Sequence, residues 1–383
     1  MSKPRVAVVG CGYWGQNLIR NFAELSQADL ATVCDFDLAA MARISRRYPG
    51  VQLTAEFQEV LTDPRIDAVA IATPVSTHYT LARKALQAGK HVLLEKPMAT
   101  STAEVVDLIE LAERHRKVLM VDHTFLYTGA VRRMKALIDS GTVGDLLYID
   151  SVRISLGLVQ SDINVLWDLG PHDLSIMNYL CDRDPVSVSA IGTRHMGCPF
   201  ENMAYMSIQF RDNFIAHFHL NWLAPVKVRR TLIGGSKKMI VYDDMEPTEK
   251  IKIYDKGISM NHDPQDRARL LAGYRNGDML VPNLDTSEAL RLMVSDFIGA
   301  IIVGSMPVSD GYSGYRVVRL LQLAQKSMAL NGRAMEVEPL PMNAPEERSG
   351  IRVRGARSAA NITTPSLEIV EVPVTEKQLA QGA

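Results

Sequence analysis

Residues 6–15 read VAVVGCGYWG, a short apolar run that leads directly into three glycines at the spacing GxGxxG. The apolar run predicts a buried strand, and residues 16–24 have the apolar spacing of a helix. Gly10 permits a tight turn, Gly12 lets the backbone approach a pyrophosphate, and Gly15 lets helix and strand pack closely. This stretch therefore predicts the first strand, turn and helix of a dinucleotide-binding fold.

An acidic side chain stands where the next apolar run ends. Asp35 follows residues 30–34 and lies about 20 residues beyond Gly15, where a carboxylate accepts hydrogen bonds from the adenosine ribose. A carboxylate there also repels the additional phosphate of NADP, so the sequence favours NAD as the cofactor. Two alternatives stay open from these residues alone: the glycines merely form a turn, or Asp35 only caps a strand.

The first 125 residues have the alternating pattern of a parallel sheet with crossover helices. Apolar runs that are separated by segments with apolar residues three and four apart are typical of βαβ units. The expected strands are residues 6–9, 30–34, 68–72, 91–94 and 118–121, with helices at 79–88 and 103–114 between the later ones. We therefore predict an α/β Rossmann domain over residues 1–125.

The pattern changes after residue 125. A helix at 131–140 is followed by apolar stretches separated by very short turns, which indicates antiparallel hairpins. The expected strands are residues 186–191, 204–210, 214–221, 228–233 and 237–242, and helices at 287–303 and 313–330 close the globular part. These elements predict an α+β domain with an open, mainly antiparallel sheet over residues 126–340.

The chain length and the last residues complete the domain prediction. A chain of 383 residues exceeds the roughly 250 to 300 residues of a single core, which is consistent with two domains. Apolar residues such as Phe214, Phe218 and Trp222 are expected on an exposed sheet face that a second subunit would cover. Residues 341–383 are rich in Pro, Ser, Thr, Glu and Arg without periodicity and predict a flexible polar tail.

Charge and cysteine content narrow the class of partner. The formal net charge of −1 offers no broad electrostatic footprint for nucleic acid or an anionic membrane, so a small-molecule substrate is favoured. No segment has the length of a signal peptide or a membrane span. The four cysteines are widely spaced and form no CxxC pair, which argues against a zinc site and fits a cytoplasmic protein.

Two separate motifs carry candidate catalytic residues. Glu95-Lys96-Pro97 follows the fourth expected strand, at the carboxyl edge where open α/β sheets bind ligands. Further on, Asp168 precedes Gly170-Pro171-His172. If Gly170 and Pro171 open a helix, Asp168 lies near its N-cap and His172 in its first turn, facing one cleft. An imidazole there accepts a hydroxyl proton while hydride leaves the carbon.

Simpler explanations exist for both motifs. Glu95 and Lys96 also fit a surface ion pair ahead of a helix, and Asp168 with His172 also fits a helix cap beside a buried histidine. No metal-ligand spacing such as HxxxH is present near them, so the sequence favours acid-base catalysis without a metal.

Taken together, the motifs resemble the Gfo/Idh/MocA family of oxidoreductases. The resemblance rests on five features: GxGxxG, Asp35, Ala72-Thr73-Pro74 with His78, the stretch Ala88-Gly-Lys-His-Val92 that leads to Glu95, and Asp168-x-Gly170-x-His172. It implies a Rossmann domain and a second domain whose open sheet serves oligomerisation, so a homodimer or homotetramer is expected.

The resemblance also implies roles for individual residues. Lys96 would polarise the reacting hydroxyl or carbonyl, His172 would act as acid or base, and Asp168 would line the same pocket. In one respect the chain departs from the family pattern, because Ser175 stands where an aspartate often follows the histidine. The implied cofactor contacts are Gly10, Gly12, Tyr13, Trp14, Gly15, Asp35, Thr73, Pro74, His78, Glu95 and Lys96.

For the substrate, residues 122–127 (DHTFLY) with 167–175 resemble the family branch that oxidises C3 of UDP-N-acetylglucosamine or of its uronic acid. A diphosphate could be bound by the three cations Lys227, Arg229 and Arg230. The same cations also fit a solvated strand edge that discourages aggregation. Candidate substrate contacts are His123, Arg153 and Asn164. Two alternatives stay open: an inositol or free-monosaccharide dehydrogenase, and a catalytically silent NAD-binding sensor.

Overall fold

The computed structural model describes residues 3–157, 162–181, 183–259 and 273–338. The tail predicted at 341–383 lies outside the described residues. The first sheet is six-stranded and parallel throughout, in the order β3-β2-β1-β4-β5-β6. Its strands are β1 (Arg5–Val9), β2 (Asp29–Cys34), β3 (Gln52–Thr54), β4 (Ala68–Ile71), β5 (His91–Leu94) and β6 (Leu119–Val121).

This strand order is typical of dinucleotide-binding sheets, in which the ligand binds where the order of the strands reverses, here between β1 and β4. The Rossmann prediction is thus confirmed. The crossover helices are α1 (Tyr13–Glu24), α2 (Leu38–Arg47), α3 (Phe57–Thr62), α4 (Val75–Gln87) and α5 (Thr102–His115). Strand β3 was not predicted, because three residues at the sheet edge carry too little apolar pattern.

The second sheet is mixed and mostly antiparallel, as predicted, in the order β14-β13-β12-β11-β7-β10-β9-β8-β15. Among the described strands, β7 and β10 form its one parallel pair. The strands are β7 (Leu146–Leu156), β8 (Pro185–Thr193), β9 (Met203–Phe210), β10 (Ile215–Asn221), β11 (Leu223–Gly235), β12 (Met239–Asp243), β13 (Ile251–Ser259), β14 (Gly273–Leu280) and β15 (Met335–Glu336).

Four longer helices accompany this sheet: α6 (Gly129–Asp139), α7 (Val165–Leu180), α8 (Ala289–Val303) and α9 (Gly311–Ala329). A short 3-10 helix spans Thr124–Tyr127, directly after the first sheet. No helix of the described ranges combines the length and the apolar character that crossing a lipid bilayer requires.

The start of α7 differs from the prediction. Gly170 and Pro171 do not open the helix, because it already begins at Val165 and contains Pro171 in its interior. The side chain of Asn164 caps it by accepting a hydrogen bond from the backbone N–H of Trp167. Asp168 therefore lies in the first turn instead of near the N-cap, and His172 lies one turn further along the same face.

The expectation that Phe214, Phe218 and Trp222 lie on an exposed face was wrong. All three are buried in the protein's own core, at 2% exposure or less. They point toward the helices because the alternation along β10 places even-numbered residues inside. The opposite face of the sheet carries Ile191 and Tyr205, which are exposed.

Candidate functional site

The glycine-rich loop has the shape that a pyrophosphate requires. Gly10 has a φ of +91°, and a Cβ there would lie 2.5 Å from the carbonyl oxygen of Ala72. A Cβ at Gly15 would overlap the carbonyl oxygen of Gly10. At Gly12, by contrast, a Cβ would meet open space. Gly10 and Gly15 are therefore needed for packing, whereas Gly12 leaves an open approach to the main chain.

Helix α1 begins beside this open space with Gly12 as its N-cap, and no side chain caps it. Its first N–H groups point out of the helix end, where they and the helix dipole favour an anion. Tyr13 is largely exposed at this point. These residues fit the pyrophosphate of a dinucleotide.

Asp35 lies directly after β2 and is oriented by the loop itself. Its Oδ2 accepts a hydrogen bond from the N–H of Cys11 at 2.7 Å, and its Oδ1 accepts one from the N–H of Asp37 at 2.9 Å. Burial opposes ionisation, but these N–H donors outweigh it and lower the pKa of Asp35. An ionised carboxylate with spare lone pairs is thus held beside the glycine-rich loop, as ribose binding requires.

His78 connects two loops at the carboxyl edge of the first sheet. Its Nδ1 and Nε2 each lie 2.8 Å from a main-chain carbonyl oxygen, that of Pro97 and that of Thr73 respectively. The ring is buried, and burial lowers its pKa. A neutral ring carries one N–H, so His78 donates to one of these two oxygens at a time and thereby links the loop at Thr73 with the loop at Pro97.

The structure brings Lys96 to the two candidate catalytic residues of α7. Its Nζ donates to the main-chain oxygen of Asp168 at 2.9 Å and to Oδ1 at 3.3 Å. The indole N–H of Trp222 donates to Oδ2 of Asp168 at 3.1 Å, which fixes the carboxylate from the other side. Because His172 follows Asp168 by four residues, it lies on the same face of the helix.

Behind Lys96 lies a buried pair of acids. Glu95 Oε2 accepts a hydrogen bond from the N–H of Lys96 at 3.0 Å, and Asp122 Oδ2 accepts one from the indole of Trp14 at 2.9 Å. Burial raises the pKa of Glu95 well above its usual range, and the adjacent Asp122 raises it further. Burial also raises the pKa of Asp122. The pair is thus harder to ionise than two exposed carboxyls, and its hydrogen bonds connect Trp14 of the glycine-rich loop to Lys96.

Several buried polar atoms around Lys96 lack a hydrogen-bond partner among the described residues. They are Oε1 of Glu95, Nδ1 of His172 and both ring nitrogens of His123. Burial and then the charge of Lys96 lower the pKa of His123 to about 3. Burial, Lys96 and two arginines lower the pKa of His172 well below its usual range. Two neutral imidazoles therefore stand beside Lys96 with ring nitrogens that lack partners among the described residues, and the hydroxyl groups of a ligand would supply such partners.

Arginines surround Phe125 next to His172. The ring of His172 meets that of Phe125 edge-on at 5.0 Å, and the guanidinium groups of Arg153 and Arg229 lie 4.8 and 5.9 Å from the same ring. Arg153 is buried and forms a bidentate pair with Asp173, at 2.7 and 3.0 Å. Its main role is thus to support the pocket wall.

The predicted contact Asn164, and Ser175, where the chain departs from the family pattern, both have partners inside the protein. The amide nitrogen of Asn164 donates to Gln325 at 2.7 Å and to Glu201 at 3.1 Å, so this helix cap has no polar atom to spare. Ser175 donates to the carbonyl of His172 at 2.8 Å. Three cations were predicted to meet a diphosphate. Lys227 is exposed, and Arg230 points to the opposite face of β11 from Arg229. Of the three, Arg229 is the one that lies beside Phe125.

Asp122 was not among the candidate site residues. The sequence signal for Asp122 was its place directly after β6, at the same sheet edge as Glu95. Within the described ranges, no group of three or more His, Cys, Asp or Glu side chains is arranged to hold a metal ion.

Comparison with known families gives two adjoining matches. The sequence model of an oxidoreductase family described as having an NAD-binding Rossmann fold matches residues 4–123. The model of the GFO/IDH/MocA C-terminal domain matches residues 131–241. Together the two matches cover more than half of the chain; the first spans the whole first sheet, and the second spans the second sheet from β7 into β12.

Individual relatives agree with these matches. The chain is 28% identical over 321 residues to UDP-N-acetylglucosamine 3-dehydrogenase of Acidithiobacillus ferrooxidans, covering 82% of this chain and 94% of the relative. A solved structure of that enzyme has a TM-score of 0.73 at 25% identity, covering 86% of this chain and 99% of the other. Inositol 2-dehydrogenase 2 of Saccharopolyspora erythraea is 29% identical over 196 residues, which is 50% of this chain and 58% of the relative.

Proposed function

Because the chain belongs to the Gfo/Idh/MocA family of NAD-binding oxidoreductases, we propose that it transfers a hydride between a sugar carbon that carries a hydroxyl group and NAD. The observation that carries this proposal is the group of unpartnered buried polar atoms around Lys96. We assign cofactor binding to residues 1–125 and substrate binding to residues 126–340. Bound NAD supplies the acceptor for the hydride.

The residues of the pocket have distinct parts in the proposed reaction. In the direction of oxidation, the C–H bond breaks with its electron pair as hydride, and the hydroxyl proton leaves to a base. His172 is that base, because its ring is neutral and its Nδ1 has no hydrogen-bond partner among the described residues. Lys96, held by Asp168, donates to the substrate oxygen and stabilises the charge that develops there.

The proposed substrate is a UDP-linked amino sugar oxidised at C3. The relative named above supports it by matching over most of both chains. Arg229 supports it by its position, because its guanidinium lies beside Phe125 and, among the described residues, hydrogen-bonds through one nitrogen, to Asp244 at 3.3 Å. A guanidinium with spare N–H donors suits a carboxylate or phosphate. Inositol and free sugars are the alternative substrates.

The test is a spectrophotometric assay for reduced nicotinamide. Purified protein with NAD is offered UDP-N-acetylglucosamine, its uronic acid, free N-acetylglucosamine and myo-inositol. We expect turnover with a UDP-sugar, and a loss of kcat by a factor of about 10² to 10⁴ in Lys96→Met and in His172→Asn. Arg133→Met, on the exposed face of α6, is the control and should behave as wild type.

The variants are also titrated with NAD, so that loss of catalysis is distinguished from loss of cofactor binding. Turnover of myo-inositol alone would reject the nucleotide-sugar substrate. Undiminished turnover in both pocket variants would reject the catalytic assignment altogether.

We further propose a homodimer or homotetramer formed through the face of the second sheet that points away from the helices. Ile191 is 58% exposed there, Ile215 is also exposed, and Tyr205 stacks on His219 with ring centroids 4.4 Å apart. A second copy of the chain would bury these apolar groups. Light scattering is expected to give at least twice the protomer mass at micromolar concentration, and a monomer would contradict the proposal.

A further inference from the structure

Trp222 lies between strands β10 and β11, and its side chain reaches the carboxylate beside Lys96. The residue is 2% exposed, and its indole N–H donates to Oδ2 of Asp168 at 3.1 Å. A buried indole N–H needs an acceptor, and a carboxylate accepts more strongly than a neutral group does. The second sheet therefore contributes a side chain to the group around Lys96, and no motif in the sequence indicated it.

The indole is held in place through its main chain and through its packing. The N–H of Trp222 donates to the carbonyl of Asn202 at 3.0 Å, and its carbonyl accepts from the N–H of Gly157 at 3.1 Å. A Cβ at Gly157 would lie 2.7, 3.2 and 3.5 Å from Cδ1, Cγ and Cβ of Trp222, and these are its three nearest heavy atoms. Gly157 thus leaves room for this one side chain, and Cδ1 is the atom bonded to Nε1.

The orientation of Asp168 determines which way the ammonium group of Lys96 points. An ammonium group has three N–H donors. Two of them go to Asp168, one to its main-chain oxygen at 2.9 Å and one to Oδ1 at 3.3 Å. The third has no acceptor among the described residues. Because Trp222 occupies Oδ2, the carboxylate cannot turn both oxygens toward Lys96 without losing the bond to the indole.

We propose that Trp222 is a positioning residue for the hydride transfer proposed above, and the assignment rests on that function. Trp222 holds the Asp168 carboxylate with one oxygen toward Lys96, and thereby directs the third N–H of Lys96 toward the substrate oxygen. Without the indole N–H, the carboxylate rotates and accepts from Lys96 with both oxygens, which draws the ammonium group away from the substrate. A displacement of about 1 Å at a catalytic group lowers a rate by up to about 10²-fold.

The first test is a double-mutant cycle on kcat, with the sugar substrate that the assay above identifies. Trp222→Phe keeps a buried ring but removes the N–H, and we expect it to lower kcat by about 10- to 100-fold without changing the Kd for NAD. In the Asp168→Ala background the same substitution should leave kcat unchanged, because the group through which it acts is gone. Phe214→Leu, which removes a buried ring near the other end of β10, is the control and should keep the wild-type kcat.

The second test requires no turnover and uses the NMR signals of the indole N–H groups. The chain contains three tryptophans, so the signal that is missing in Trp222→Phe is that of Trp222. We expect this signal to shift in Asp168→Ala and its proton to exchange faster with solvent. Gly157→Ala, whose added Cβ displaces Cδ1 and with it Nε1, should shift the same signal and lower kcat. It replaces Trp222→Phe if that variant does not fold.

The proposal is overturned if Trp222→Phe keeps the wild-type kcat, or if the indole signal does not respond to Asp168→Ala. An equal loss of kcat in both backgrounds also overturns it, because Trp222 then acts through packing alone. If wild type turns over none of the sugars while the indole signal still responds, the proposed function fails and the placement of Asp168 by Trp222 is supported.

Discussion

Replacing Gly12 and Gly15 by alanine should separate cofactor binding from folding. A Cβ at Gly12 would have no heavy atom within 4 Å, and the backbone there, with a φ of −66°, is allowed for alanine. A Cβ at Gly15 would lie 2.8 Å from the carbonyl carbon of Gly10 and closer still to its oxygen. The first substitution fills open space, whereas the second requires the main chain of the neighbouring turn to move.

The magnitudes follow from these contacts. Forcing a methyl group into a packed main-chain contact costs about 1–3 kcal/mol or more, so Gly15→Ala should lower the melting temperature by several degrees. Gly12→Ala should change stability by no more than about 1 kcal/mol, because alanine is a somewhat poorer N-cap than glycine. Its methyl group occupies the approach of the pyrophosphate, so the Kd for NAD should rise at least tenfold, or about 1.4 kcal/mol.

Two measurements test this pair of variants: the melting temperature without NAD, and a calorimetric titration with NAD. Gly50→Ala is the matched control, since a Cβ there also meets open space but lies outside the loop. It should match wild type in both measurements. Tight NAD binding by Gly12→Ala would refute the close approach of the cofactor to the main chain. Wild-type stability of Gly15→Ala would refute its packing role.

Two further predictions concern stability. Arg153→Ala should lower the free energy of unfolding in urea by about 3–5 kcal/mol, because it leaves Asp173 buried and unpaired. The double variant Arg153→Met/Asp173→Leu should recover most of this loss. Unchanged stability in the single variant would show that the pair is solvated. The pKa of His123 is about 3 in the folded protein and near 6.5 when unfolded, so unfolding takes up a proton between these values. The contribution of the neutral ring to the free energy of unfolding is therefore fully present above pH 6.5. It is lost as the pH falls toward 3, by up to about 1.4 kcal/mol per pH unit. His123→Phe should flatten the fall of unfolding free energy between pH 6 and pH 4 by this amount, and parallel curves would contradict the assignment.

The Rossmann half was predictable because its signals are local. The glycine spacing, the apolar run before it and Asp35 all lie within about 30 residues of one another, and each describes a contact that the structure contains. Strand β7 was not predicted, although it lies in the middle of the second sheet, since its core-facing positions include Ser151 and Arg153. Their partners come from α7, which no pattern within β7 reveals.

The site was predictable in part for the same reason. Lys96 and His172 stand in short motifs, and the structure brings Lys96 to Asp168, one turn before His172 in α7. The start of α7 was misplaced because Gly170 and Pro171 are typical of a helix start, whereas the effective signal was Asn164 as N-cap. The partnership of Glu95 with Asp122 depends on β5 and β6 being neighbours in the sheet, which is a property of the fold.

The position of β7 also limits where the length of this chain can change. Along the strand, Ser151 and Arg153 face α7, whereas Asp150 and Val152 face the opposite side of the sheet. Inserting or deleting a single residue before them would exchange the two sets, placing a carboxylate against the core and the guanidinium outside. We therefore expect variation in length to be confined to the loops around this strand, while its own residue count stays constant among working relatives.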